Sequence, residues 1–246
     1  MCTLLISVAP AGRWDVLLAS TRDEFRSRAW QPPGEWWPKE YPGALGGRDC
    51  RAGGTWLAVE PKRRRIAVVL NRIEPSGLSD EEASSRGALP LLAVTAGAAA
   101  IAEEVLRRTR PFNLLTVESG AVTWWRWDGA ALSEHPVSPG LHILTAADLD
   151  DMSNPRQRYW LPEFAAAELP DPRPAERAPA GWGGWPELLA DVDTPFDDPR
   201  ALNVRRRGGS ADFGTVSASL LALADAELKF DFCPGPPDRA AWESVL

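Results

Sequence analysis

Histidine is nearly missing: His135 and His142 are the only two in 246 residues. A histidine-based zinc site or a Ser-His-Asp triad therefore has little material to draw on. Cysteine is scarce as well. Cys2, Cys50 and Cys233 are odd in number and show no metal-ligand spacing, which argues against a disulfide framework and a metal centre. No apolar run approaches the roughly 18 residues of a spanning helix, and Met1 to Val8 is too short and lacks the charged start of a signal peptide. A cytoplasmic protein without stable membrane insertion is expected. Positive charge is in deficit, with a formal net charge of -7, so nucleic acid is not an expected partner. The short basic runs Lys62-Arg63-Arg64-Arg65 and Arg205-Arg206-Arg207 read as solvated turn charges.

What is present is concentrated at the start. Removal of Met1 would leave Cys2 with a free thiol and a free α-amine on one residue. With ordinary pKa values of about 8.5 and about 8, the amine can accept the thiol proton as sulfur attacks a carbonyl. Leu4 to Val8 reads as a strand, Ala9-Pro10-Ala11-Gly12-Arg13 as a turn, and Trp14 to Ser20 as the returning strand. An antiparallel return carries Arg22 and Asp23 to the level of Cys2. There a guanidinium favours thiolate, and a carboxylate holds the amine.

Met1-Cys2, Arg22-Asp23-Glu24-Phe25, Arg28, Gly53-Gly54-Thr55-Trp56-Leu57, Leu70-Asn71, Arg86-Gly87 and Phe112-Asn113-Leu114-Leu115 occur in this order. In order and spacing the chain resembles the NRDE family, named for an Asn-Arg-Asp-Glu motif and also called the transport and Golgi organisation family. The resemblance implies an N-terminal-nucleophile-hydrolase-like fold, a four-layer αββα sandwich; the strand pattern alone predicts only an α+β protein, taken as one domain over residues 1–246. Three positions depart from the family pattern. Thr21 replaces the motif's asparagine, Leu144-Thr145-Ala146 stands where Leu-Ser-Asn is usual, and Val216 takes the place of arginine in Gly-Thr-Arg.

Further candidates follow along the chain. Arg26 to Gly47 reads as a long loop whose tryptophans, Trp30, Trp36 and Trp37, either cap the core or join Trp56 in walling an apolar pocket. Asn71 ends a β-branched strand, as a turn residue or, by analogy with cysteine N-terminal-nucleophile hydrolases, as an oxyanion donor. Thr55 and Arg72, beside Trp56 and Asn71, are taken as substrate contacts. A helix beginning near Leu89 and a second over Ala98 to Arg108 are expected. Ser153-Asn154-Pro155 resembles the oxyanion asparagine of choloylglycine-hydrolase relatives. Arg156 and Arg158 either bind an anionic substrate group or solvate a helix start. Pro170 to Gly184 reads as a linker, and Gly214 to Leu223 pairs with Leu228 to Phe232 as strands.

Two functions are expected from this reading. One is an amidohydrolase that cleaves a C–N amide bond, with Cys2 as nucleophile, Arg22 and Asp23 positioning it, and Asn71 and Asn154 as oxyanion donors. Its substrate, a small amphipathic or amide-containing molecule, would meet Trp37, Thr55, Trp56, Arg72 and Arg156. The other, implied by the family, is a non-enzymatic haem or acyl-lipid carrier. No metal or other cofactor is expected beyond haem as a ligand.

Overall fold

The computed structural model of the chain describes residues 2–9, 12–79, 81–206 and 212–246. Met1, Pro10 and Ala11 of the expected first turn, and Arg207 of the second basic run, lie outside the described residues. In chain order the elements are β1 (Thr3–Val8), β2 (Val16–Phe25), β3 (Trp30–Gly34), β4 (Leu45–Asp49), β5 (Leu57–Glu60), β6 (Arg65–Asn71), α1 (Ala88–Ala96), a 3₁₀ turn (Ala98–Ala100) and α2 (Glu103–Arg107). They continue with β7 (Phe112–Glu118), β8 (Ala121–Trp127), β9 (Leu132–Pro136), β10 (Gly140–Leu144), α3 (Pro155–Ala166), α4 (Trp185–Leu189), β11 (Arg205–Arg206), β12 (Phe213–Leu223), β13 (Leu228–Cys233) and β14 (Glu243–Ser244). Contacts divide the chain into two compact units, Met1–Ser27 with Pro139–Leu246, and Arg28–Ser138.

The first unit is built on an antiparallel sheet in the order β10-β1-β2-β12-β13-β14, with β11 paired to β12. One face carries Leu5, Leu17, Ala19 and Leu220, which pack with Trp160 of α3 and Trp185 of α4. The returning strand β2 is longer than expected and takes in Thr21 to Phe25, so the Arg-Asp-Glu motif lies within the sheet. Opposite it, β12 carries a bulge: Thr215 faces Asp23, Ser217 faces Arg22, and Val216 has no counterpart on β2.

The Pro-rich stretch after α3 has no regular elements until α4, as expected, but it is firmly held. The buried Lys229 ammonium donates to the Glu176 carbonyl at 2.8 Å and pairs with Asp231 at 3.1 Å. The Trp182 indole N–H donates to the other Asp231 oxygen at 2.8 Å. A buried charge is tolerated because it is paired and hydrogen-bonded on several sides.

Cys233 closes β13 and is fully buried, a structural thiol. Burial pushes it from 9.0 up to about 11. The unfolded chain ionises first, so over that interval the unfolded state binds fewer protons and stability falls as pH rises, by about 2–3 kcal/mol. Cys233→Ala should flatten this alkaline decline, read as urea midpoints measured from about pH 8 to 11.

The second unit is a seven-stranded antiparallel meander, β3 through β9 in sequence order. Helix α1 packs across β5, β6 and β7 through Leu89, Leu91 and Val94. Two motif fragments meet here. The Thr55 N–H donates to the Gly87 carbonyl at 2.9 Å, and a Cβ on Gly54 would lie 2.4 Å from the Gly87 carbonyl carbon. The glycines are therefore required for close backbone approach.

Three expectations are corrected. Arg26 to Gly47 is not one long loop: β3 and the start of β4 occupy it, and the prolines of β3 are accommodated because it is an edge strand with an irregular register. The helix expected over Ala98 to Arg108 breaks into the 3₁₀ turn and α2, since Ile101 turns extended and buries its side chain. Arg205 and Arg206 form β11, and Arg205 is ion-paired with Asp238 rather than solvated.

Candidate active site

The β1–β2 hairpin sets the first group of residues. Thr3 faces Thr21, so the next step brings Cys2 level with Arg22. Successive strand residues point to opposite faces, so Arg22 and Asp23 cannot both present their side chains to the thiol. The main chain of Asp23 makes the contact: its N–H donates to Cys2 Sγ at 3.4 Å, and the thiol donates to its carbonyl at 3.8 Å. Burial pushes the Cys2 thiol up, with the Asp23 carboxylate adding to it; the Asp23 N–H and the Arg22 guanidinium oppose them. A thiol in this setting stays protonated and needs a base to react.

The Asp23 carboxylate is completely buried. Thr215 Oγ1 donates to it at 2.7 Å, and Arg156 Nη1 lies 3.5 Å from its other oxygen. Arg156 also donates to Thr3 Oγ1 at 3.0 Å. Arg156 is therefore neither a solvating residue nor exposed at a helix start; it is 4% exposed and locks α3 onto β1 and β2. The residue missed from sequence is Thr215. The signal was available in Gly214-Thr215, the first two residues of the family's Gly-Thr-Arg; the missing arginine at the third position hid it.

Asn154 is the N-cap of α3. Its Oδ1 accepts from the Arg156 N–H at 3.0 Å and the Gln157 N–H at 3.2 Å, and Pro155 begins the helix. Gln157, fully buried, donates to Thr145 Oγ1 at 2.8 Å and ties the start of α3 to the end of β10. Arg22 is 5% exposed and sits 3.8 Å from Glu24. Beside it in register, Ser217 Oγ is buried without a partner among the described residues.

In the second unit, Asn71 is the exposed last residue of β6, opposite Phe112. Arg72 donates to Glu74 at 2.8 Å and to Asn113 Oδ1 at 2.7 Å, with 4% of its side chain exposed. That guanidinium holds a strand end in place and is already charge-matched. The Thr55 hydroxyl bonds within its own turn, to the Leu57 carbonyl at 2.7 Å. Trp37 is a core residue whose indole N–H donates to the Gly53 carbonyl at 2.7 Å. Trp56 is partly exposed and meets Trp30 edge to face at 5.9 Å. Of the expected substrate contacts in this unit, the side chains of Thr55 and Trp37 thus serve the fold. Among the described residues no cluster of three or more metal-ligating side chains occurs, and no helix is long and apolar enough to cross a membrane.

Among curated proteins, none matches this sequence. Among solved structures, the Caenorhabditis elegans N-acylethanolamine-hydrolyzing acid amidase (NAAA) ortholog, an N-terminal-nucleophile hydrolase, is similar with a TM-score of 0.53 at 11% identity. The match covers 98% of this chain and 99% of that one. At that identity the likeness shows the fold: the expected α+β class and N-terminal-nucleophile-hydrolase-like architecture are borne out. A family model described as Transport and Golgi organisation 2 matches residues 1–165. With 165 of its 246 residues matched, from Met1-Cys2 through α3 almost to its end, the chain belongs to the Transport and Golgi organisation 2 family.

Proposed function

We propose that the chain is a cysteine amidohydrolase of the N-terminal-nucleophile type, cleaving the C–N amide bond of a small non-peptide substrate. The observation that carries this reading is the Cys2 thiol held between the N–H and carbonyl of Asp23, with the carboxylate of the same residue pinned by Thr215 and Arg156. Once Met1 is removed, the Cys2 α-amine takes the thiol proton and Sγ bonds to the amide carbon. The resulting ammonium protonates the departing amine as the C–N bond breaks. Water, deprotonated by the same amine, then cleaves the thioester to release the acid and restore the thiol. A rigid, buried Asp23 is suited to steadying the ammonium between these steps.

Asn154 is the proposed oxyanion donor. Its cap bonds occupy Oδ1 and fix the carboxamide, which leaves the Nδ2 hydrogens to donate. Asn154→Asp preserves the cap and removes the donor. Turnover should fall on the order of 10²–10³-fold while the urea midpoint stays put. Unchanged turnover in this variant would leave Asn154 as a cap alone.

The test of the whole reading is intact-mass analysis of purified protein together with an amide panel that begins with N-acylethanolamines, the class the similar Caenorhabditis elegans amidase is named for. Loss of Met1 and Cys2-dependent release of amine are expected. Retention of Met1 on every molecule would exclude the amine as base. A second reading, a haem or acyl-lipid carrier, draws on Val216, an apolar residue 8% exposed where the family carries arginine. Saturable haemin or acyl-CoA binding by a chain whose Cys2 resists an amide-mimicking electrophile would favour it.

A further inference from the structure

A cavity of about 690 Å³ in the first unit is lined by Phe196, Asp197, Arg205, Arg206 and Arg239. Three guanidinium groups on one cavity repel one another unless anions intervene. The protein supplies only part of that compensation. Arg205 and Arg239 share the single Asp238 carboxylate, which also accepts from Asn203 at 2.6 Å. Arg206 has no ion pair among the described residues, and Asp197 is the acid of the lining itself. Three cations against two carboxylates leave one positive charge in excess.

The arginines differ in how firmly they are held. Arg205 is 10% exposed, and its guanidinium lies 4.0 Å over the Phe196 ring. A stacked guanidinium is fixed in its plane, which pre-organises its fork of donors. While one end holds Asp238, its Nε–H remains buried without an acceptor. Arg206 and Arg239 are exposed and can close on a guest from the rim. One fixed guanidinium and two exposed ones at the rim, with a net positive charge, fit a group that takes several donors at once and carries more than one negative charge.

We infer that this cavity is an oxyanion site that takes a phosphate dianion, free or as a phosphomonoester. Guanidinium–phosphate pairs are bidentate and charge-assisted, and a carboxylate monoanion would use fewer of the donors. The site stands apart from the chemistry assigned to Cys2 and does not depend on it, yet it is wired to the same strand. Arg205 faces Gly214 in the β11–β12 pair, and the next residue, Thr215, holds Asp23.

Calorimetric titration of the full chain with inorganic phosphate, phenyl phosphate and benzoate tests the assignment. Both phosphates should bind saturably, one per chain, with benzoate about tenfold weaker or worse. Arg206→Ala and Arg239→Ala should each weaken phosphate binding by about tenfold, and Asp197→Asn should tighten it. All three residues are exposed, so the variants should fold normally, checked by far-UV circular dichroism. Phenyl phosphate binding more tightly than inorganic phosphate identifies an organic phosphomonoester as the guest, and the reverse order identifies free phosphate. Cys2→Ala should bind as the wild type does. The inference is overturned if neither phosphate binds saturably, if benzoate equals phenyl phosphate, if both arginine variants retain full affinity, or if binding disappears with Cys2.

Discussion

Cys2→Ala is expected to lower amide turnover on the order of 10⁴-fold or more, because removing a covalent nucleophile removes the pathway and leaves only what substrate binding and oxyanion donors contribute. Substrate affinity should change little. Cys2→Ser, which retains a weaker nucleophile and the same α-amine, should also be near the floor, since a hydroxyl is far harder to deprotonate than a thiol. Single-turnover kinetics with a chromogenic amide would separate loss of chemistry from loss of binding. Turnover of the alanine variant within tenfold of wild type would end the hydrolase reading. Because burial and the Asp23 carboxylate push the thiol up, alkylation of Cys2 by iodoacetamide should keep accelerating past the pH at which an ordinary thiol levels off.

The second large effect is on stability. Arg156 and Asp23 form an ion pair that is almost entirely out of water, at 4% and 0% side-chain exposure. Arg156→Met takes a buried counter-charge away from the carboxylate and leaves the Thr215 hydroxyl bond in place. Removing one partner of a buried pair costs about 3–5 kcal/mol, more than the pair itself contributes against an apolar replacement. Urea unfolding should show that loss, and Arg156→Met combined with Asp23→Asn should be less destabilising than the two single changes summed. If Arg156→Met unfolds at the wild-type urea concentration, the pair is not what holds α3 to β1 and β2. A loss of turnover accompanied by normal stability would instead place Arg156 in contact with substrate.

Much of this was legible in the residues. Alternating and β-branched runs gave the β1–β2 hairpin and the β12–β13 pair, and Pro90 in a first turn gave α1. The two glycine-bearing motif fragments, at Gly54 and Gly87, were visible as motifs, but their meeting was not, because a backbone crossing leaves no periodic trace. The edge strand β3 was hidden by Pro32 and Pro33, which read as breakers unless one knows that the strand has a free side. The site was half visible. Cys2, Arg22 and Asp23 follow from hairpin geometry, which puts the three at one level; that the Asp23 main chain, rather than a side chain, is what meets the thiol was not legible, because backbone contacts at a strand end leave no mark in residue type. Arg156 read as a substrate contact or a solvated helix-start charge in Pro-Arg-Gln-Arg; its burial depends on Thr3 and Asp23, 153 residues and 133 residues away in the chain.

The extra residue on β12 has a bearing on how this protein tolerates change. On one side of Val216 the strand is in phase with Asp23 through Thr215, and on the other it is in phase with Arg22 through Ser217. Deleting Val216 would close the bulge with Thr215 still facing Asp23 and Ser217 still facing Arg22, whereas deleting Thr215 or Ser217 would draw Val216 into a paired position and lose the hydroxyl there. For engineering, Val216 is the position of this stretch to vary in size, in charge and in number, while Thr215 and Ser217 are the ones to keep.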